Sequence, residues 1–595
     1  MKAVILAAGY GNRMRPLTDT QHKTLLEVGG RTIIGRIIDC LAAIDVTRVL
    51  VVTGHRADEL ETTLRAQHPR VSFQFVRNER YRETNNIYSL ALAFETLELD
   101  EDLLLIESDL VCEPAVFERI AHSPYPNVAL VDHYRTGMDG TVVTVSDGVV
   151  TSVIPPHLQS GDFTFRDKFK TLNIYKFSKE FCRETFKRLL TYYAQNFDDS
   201  CYYELILGIL IYLQKADIRA EIIEQEKWAE IDDPNDLRLA EFLFSPSKRR
   251  RILDETMGGY WSYEDDITDF CFLRNMYFPT SSMLAEIRNN LVRLIHNYGS
   301  TQDVVNRKLA FFLLCTPARV NVLNGLSQLY PFLARRLAGK RVLLPAPTFG
   351  EYTRIFPEHL TYRDRPGIDL GEIEARAADA EVVVLVNPNN PTGTTISSDW
   401  ILSFAKARPH QTVIVDESFV AFSSEASLIP RLEADPVSNL LVLTSMSKTL
   451  GIPGVRLGHL YTCDESFAAE VTRWLPIWSL NSVAEHVLEI VLKHRQSLTD
   501  SLRTTAVDRA AFAAALQALP VVERVHPSGG NFLLVTLRAG ADASKLADDL
   551  LRHHALYVKD ASAKIGDGRG HLRFAVRHPD ENRRLCAALA AVSAP

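Results

Sequence analysis

The chain lacks the features that mark a membrane, nucleic-acid or disulfide-stabilised protein. Only eight of its 595 residues are cysteine, at positions 40, 112, 182, 201, 271, 315, 463 and 586. No two of them form a C-x-x-C pair, so neither a zinc site nor a disulfide framework is indicated. No apolar run is long enough to span a bilayer. The N-terminus runs straight into a strand pattern, without a basic segment and cleavage site. The net charge is −8, and no block of like charge is long enough for a nucleic-acid tail. Internal repeats and low-complexity tracts are missing too. The expectation left is a cytoplasmic enzyme of small molecules, with neither membrane nor nucleic acid as partner.

What is there is ordinary in bulk and specific in detail. Hydrophobic residues make up 46% and charged residues 24%, the balance of a globular protein. The length exceeds a single core and calls for roughly two to four domains.

Near the start, Lys2–Ala7 reads as a short apolar strand. Ala8-Gly9-Tyr10-Gly11-Asn12-Arg13-Met14-Arg15-Pro16-Leu17-Thr18 follows, with Lys23 beyond it. Glycines let backbone N–H groups approach phosphates, and Arg13 and Lys23 place positive charge where a triphosphate would sit. Strand patterns at 49–53 and 103–107 alternate with helical ones, which predicts a doubly wound α/β sheet with ligands beyond its carboxyl ends. Asp109 stands at such an end. Glu230-Ile231-Asp232-Asp233 supplies a distant carboxylate cluster, and two carboxylates with substrate phosphates make a usual Mg²⁺ site.

The pattern L-A-A-G-x-G-x-R-M-x-P-L-T with its trailing lysine resembles the signature of sugar-phosphate and choline-phosphate nucleotidyltransferases. That resemblance implies nucleotide binding by Ala8, Gly9, Gly11, Arg13 and Lys23, the latter two also catalytic. It implies Mg²⁺ held by Asp109 and Asp232, with Asp233 the lesser choice. Asn85-Asn86-Ile87-Tyr88-Ser89-Leu90 is similar to a segment of bacterial choline-phosphate cytidylyltransferases. There, aromatic and acidic groups surround an aminoalkyl cation. Carried over, the substrate residues are Asn85, Tyr88, Tyr203, Glu204 and Trp228, the nucleotide is CTP, and the acceptor is a small zwitterionic phosphate or phosphonate.

The second half is organised around Ser445-Met446-Ser447-Lys448-Thr449-Leu450-Gly451, with Arg456 close behind. A lysine that binds an aldehyde cofactor must lose its proton near neutrality, which nearby cations and burial favour. Hydroxyls and Arg456 suit a phosphate on the same cofactor. Asn387-Pro388-Asn389-Asn390-Pro391-Thr392-Gly393, Asp416-Glu417-Ser418-Phe419 and Asn324-Gly325-Leu326-Ser327-Gln328 stand upstream in order.

Together these four pieces resemble fold-type I aminotransferases and decarboxylases that use pyridoxal phosphate (PLP). The resemblance implies Lys448 as the catalytic lysine. Asp416 would face the pyridinium nitrogen, Asn390 the ring hydroxyl, and Phe349 the ring face. Gly325, Leu326, Ser445, Ser447 and Arg456 would surround the phosphate. Arg573 would grip the substrate carboxylate, and Arg577 is either a second anion site or a structural ion pair. Phe419 stands where many aminotransferases carry tyrosine; the segment resembles threonine-phosphate decarboxylases and some histidinol-phosphate aminotransferases, and does not by itself choose the reaction. A homodimer through the PLP domain is implied as well.

The expected layout is a nucleotidyltransferase domain over 1–240 and a linker over 241–256. A PLP-dependent domain then covers 257–595, with its small part from about 475. Tyr260 and Trp261 are offered as residues covering the substrate. The combination resembles bifunctional nucleotidyltransferase–decarboxylases of phosphonate antibiotic biosynthesis. That implies CTP and 2-amino-4-phosphonobutyrate as inputs. The alternative is a cytidylyltransferase fused to an aminotransferase.

Overall fold

The computed structural model describes all residues except 136–137, 160–162, 260–266, 365–366 and 594–595. Tyr260 and Trp261 lie outside the described residues. The chain divides into two compact units, Met1–Tyr263 and Glu264–Pro595.

In the first unit, near-continuous apolar runs form strands that are buried on both faces. Alternation along Lys2–Ala7 sends Val4 and Leu6 into one apolar cluster with Leu90 and Phe94 of the helix Asn86–Thr96. Ala3 and Ile5 enter another with Ile34, Ile37 and Leu41 of the helix Ile33–Ala43. Each large aliphatic side chain so buried contributes about 1.5–3 kcal/mol. Among the described residues the sheet has nine strands. Ser72–Arg77, Arg48–Thr53, Lys2–Ala7 and Leu103–Glu107 lie side by side and parallel. Strand order therefore reverses between Lys2–Ala7 and Leu103–Glu107, the kind of switch point where α/β sheets bind ligands. Beyond Leu103–Glu107 the sheet turns mixed, because Phe169–Phe177 runs antiparallel to both its neighbours there.

The expected linker is folded. The helix Pro234–Phe244 runs past residue 240, started by an Asp233 capping box with Asp236. The helix Arg249–Thr256 then buries Ile252 and Leu253. Its basic run looks like linker by composition. In fact Arg249 donates to the carbonyls of Phe242 (2.8 Å) and Leu243 (3.0 Å) and caps the preceding helix.

The second unit has a seven-stranded sheet among the described residues. Its order is Val320–Leu323, Gly458–Thr462, Leu440–Ser445, Thr412–Asp416, Val382–Val386, Val342–Ala346, His359–Arg363. Gly458–Thr462 runs against its neighbours and the rest are parallel. A four-stranded antiparallel sheet of Val522–Val525, Phe532–Leu537, His571–Ala575 and Lys559–Asp560 forms the smaller lobe. That lobe does not begin at 475 alone. Thr268–Asp269 pairs with Leu556–Tyr557, and Phe270 is buried with Phe512 and Leu533.

Candidate active sites

The first unit has a cavity of about 770 Å³ at the switch point, lined by Ala8, Gly9, Gly11, Arg13, Lys23 and the carboxyl end of Leu103–Glu107. Gly11 has φ +69°, and a Cβ there would crowd Lys23 and Thr18 at 3.2–3.3 Å, so the loop can close only around glycine. Lys23 Nζ lies 2.9 Å from Asp109 Oδ2 and 3.2 Å from Asp232 Oδ1. Burial works against the Lys23 ammonium, but the two aspartates outweigh it and raise its pKa above the ordinary lysine value. Arg13 reaches Asp232 at 2.9 Å and Asp139 at 3.4 Å. Asp109 Oδ1 is buried without a hydrogen-bond partner. An anionic oxygen left bare beside Asp232 fits a hard divalent cation. Asp139, Glu230 and Asp232 also bring ligand oxygens within 4.8 Å of one another. Asp233 is occupied as a helix cap.

The acceptor side differs from the expectation. Asn85 lines the cavity and caps the helix Asn86–Thr96, and Glu204 lines it too. Three expected aromatic residues do not. Tyr203 is fully buried, edge-on to Tyr175 at 6.0 Å. Trp228 is buried, its indole N–H donating to Asp132 at 2.7 Å. Tyr88 lies under the Arg80 guanidinium at 5.2 Å. Each has been taken by a partner its own segment does not reveal. Tyr202, Glu107, Asn86, Lys170 and Glu230 line the cavity instead. Lys170 pairs with Glu230 at 2.9 Å, and burial raises the Glu230 pKa against the attraction of that lysine.

In the second unit, segments leaving the carboxyl ends of parallel strands converge. Lys448 sits in the turn Met446–Thr449 after Leu440–Ser445, largely buried. Among the described residues no ion pair engages its ammonium. Burial lowers its pKa, as do the charges of Arg456 and Arg573, with Asp416 opposing. Asp416 ends Thr412–Asp416 and is 4% exposed. It accepts from the Tyr352 hydroxyl at 2.7 Å and from the Ser418 N–H at 2.9 Å. Burial raises its pKa, and those bonds pull it back. Arg573 donates to Asn390 Oδ1 at 2.7 Å and to the Cys271 carbonyl, while its Nε is buried without a partner.

Arg456 donates to Ser327 at 3.0 Å and packs on Gly325, where a Cβ would fall 2.4 Å from its guanidinium. Leu326 follows Gly325, and the half-buried Ser445 opens the lysine turn. Phe349 is half-exposed and edge-on to Tyr352 at 6.4 Å. An unpaired lysine, a buried aspartate and a glycine–arginine cradle fit PLP. Two expected residues are turned away. The Ser447 hydroxyl is buried and donates to Leu457 O at 3.4 Å. Arg577 is buried and donates to Asp269 O (2.8 Å) and to Glu581 (2.7 Å).

Residues 267–589 match the family described as aminotransferase class I and II, and residues 3–157 the MobA-like NTP transferase domain. Across all of this chain and 95% of the relative, the sequence is 33% identical to the CMP-5'-(3-aminopropyl)phosphonate synthase of Streptomyces rubellomurinus. The chain belongs to the family of that synthase. Its second half is also 27% identical to the L-serine phosphate decarboxylase of Sulfurospirillum multivorans, over 54% of this chain and 88% of that one. The histidinol-phosphate aminotransferase of Clostridium acetobutylicum shares the fold, at TM-score 0.50 and 23% identity over 55% of this chain and 99% of that one.

Within this synthase family frame, the residues that sequence reasoning missed have recognisable signals. Tyr352 lies in the segment that carries Phe349, one helical turn on. Glu107 immediately precedes Ser108-Asp109 at the strand end, and Asn86 sits inside the motif quoted for Asn85. Lys170 has none: it is a lysine inside an apolar strand.

Proposed function

We propose that the first unit transfers CMP from CTP to an anionic oxygen of an aminoalkyl phosphonate or phosphate. The second unit decarboxylates the corresponding amino acid, 2-amino-4-phosphonobutyrate, to give CMP-5'-(3-aminopropyl)phosphonate overall. The observation that carries this reading is that both site constellations occur in one chain that aligns end to end with such a synthase.

In the first site the acceptor oxygen attacks the α-phosphorus of CTP and pyrophosphate leaves. The acceptor is already an anion, so no general base is needed. Arg13 and Lys23 offset the charge that develops on the phosphates. Asp109 and Asp232 are the residues that would hold Mg²⁺, whose contribution is further neutralisation of phosphate charge.

In the second site Lys448, Asp416, Asn390, Phe349, Gly325, Leu326, Ser445 and Arg456 would hold PLP. The chemistry PLP supplies when bound is an electron sink for the bond broken at the α-carbon. Asp416 would keep a proton on the ring nitrogen, Arg573 would orient the substrate carboxylate, and Lys448 Nζ would return a proton to the α-carbon.

The test is mass spectrometry of purified protein with CTP, Mg²⁺, PLP and 2-amino-4-phosphonobutyrate. Many turnovers to CO₂, pyrophosphate and the CMP-linked amine are expected with no keto acid added. Arrest after one turnover, with pyridoxamine absorbance and rescue by a keto acid, would make the second unit an aminotransferase.

A further inference from the structure

The first unit's cavity is over-supplied with negative charge. Its lining holds the carboxylates of Glu107, Asp109, Asp139, Glu204, Glu230 and Asp232 against the cations of Arg13, Lys23 and Lys170. Four of those carboxylates are spoken for. Lys23 lies between Asp109 and Asp232, Arg13 reaches Asp232 and Asp139, and Lys170 pairs with Glu230. Glu107 and Glu204 have no ion pair among the described residues. One neutral group joins them: Asn86 Nδ2 donates to Glu107 Oε1 at 3.1 Å and to Glu204 Oε2 at 3.4 Å. Asn86 Oδ1 is itself fixed by the Tyr203 N–H at 2.9 Å. Each carboxylate thus keeps an oxygen that no side chain of the described residues serves. Beside them the Tyr203 hydroxyl is buried without a partner.

Uncompensated carboxylates at a buried site are costly unless a cation arrives with the ligand. We infer that Glu107 and Glu204, positioned by Asn86, form the acceptor's cation subsite, and that it takes a primary ammonium rather than a methylated one. A primary ammonium brings N–H donors that match free carboxylate oxygens. A trimethylammonium brings none and is recognised by aromatic faces. Among the described residues no such cage lines the cavity. Tyr203 and Trp228 are buried in the apolar packing, and the phenol rings lining the cavity are Tyr81 and Tyr202.

The inference rests on the nucleotidyl-transfer reading of this cavity, but not on the identity of the nucleotide.

The experiment compares 3-aminopropylphosphonate, its N-trimethyl analogue and propylphosphonate as acceptors for the full-length protein, Glu107→Gln and Glu204→Gln. The wild type is expected to favour the primary amine by about tenfold or more, the worth of a charge-assisted hydrogen bond. Either variant should raise KM for the amine by a similar factor and erase the preference, with KM for CTP unchanged. Glu107 is partly exposed, so its variant remains informative if Glu204→Gln misfolds. Equal use of the trimethyl compound, or an intact preference in both variants, overturns the assignment. If no acceptor turns over, the nucleotidyl-transfer reading fails and calorimetry decides the subsite. Binding that depends on the amine and is lost in the variants keeps it; binding indifferent to the amine ends it.

Discussion

Tyr352 carries a residue-scale prediction. Its hydroxyl donates to Asp416, a bond that stabilises the carboxylate and lowers a pKa raised by burial. Tyr352→Phe removes the donor, so the carboxylate should be lost at higher pH. Activity needs the anion and therefore falls as pH drops through this pKa. The variant should move the acid limb of kcat/KM for the amino acid upward by about one to two pH units, given about 1.5–3 kcal/mol for a bond to a charged group. An unmoved limb would detach Tyr352 from Asp416 in function. Lys448→Ala should abolish both the absorbance of lysine-bound cofactor and decarboxylation, while CMP transfer to supplied 3-aminopropylphosphonate persists. Full amino-acid turnover would exclude Lys448. The same scale shows where sequence reading failed. Lys448, Asp416, Asn390, Lys23 and Asp109 were legible because each follows an apolar strand at a fixed place. Tyr203 and Trp228 were misplaced because residue type does not give direction. Tyr203 opens a helix with its ring in the core while Tyr202, one residue back, faces the cavity. Asp132, far away in sequence, took the Trp228 indole.

The elements were legible wherever a strand ends in a loop that must hold a ligand, since both sites lie at carboxyl ends of parallel strands. What escaped were elements defined by distant partners: the capped helix Arg249–Thr256 inside the expected linker, and Thr268–Asp269 in the smaller lobe. The loop after Lys448 is held in the same non-local way. Asn275 Nδ2 donates to the Thr449 carbonyl at 2.9 Å, and its backbone N–H donates to Lys448 O at 2.9 Å. Gly451 has φ +65°, and a Cβ there would lie 1.9 Å from Phe278 O. Gly451→Ala must therefore push two backbone segments apart and should cost about 1–3 kcal/mol. Because that segment carries Lys448, PLP affinity should fall together with Tm, measured by titration of cofactor absorbance and by thermal melting. An unchanged Tm with full PLP binding would show that the segment yields without consequence.

For the whole molecule, the helix Ser281–His296 leaves Val292 72% and Ile295 68% exposed, with Tyr298 just beyond it stacked on Trp478. We propose that this apolar face on the PLP-fold unit takes a second copy of the chain. Val292→Glu with Ile295→Glu should give a monomer by light scattering; an unchanged mass would place any self-association elsewhere. The two chemistries are linked differently, through a metabolite that one unit releases and the other consumes. A tether raises the local concentration of that metabolite only modestly when it diffuses freely. Two inactive proteins should then complement each other. Lys448→Ala should retain CMP transfer, and Asp109→Asn, which removes an anionic ligand from the phosphate end, should retain the carbon chemistry. Mixed in equal amounts with CTP and 2-amino-4-phosphonobutyrate, they should regain the overall conversion after a lag. The lag should shorten as both concentrations rise, because the intermediate then meets its second site sooner. Failure to complement, with each half-reaction intact in its own variant, would mean that the intermediate does not pass through solution.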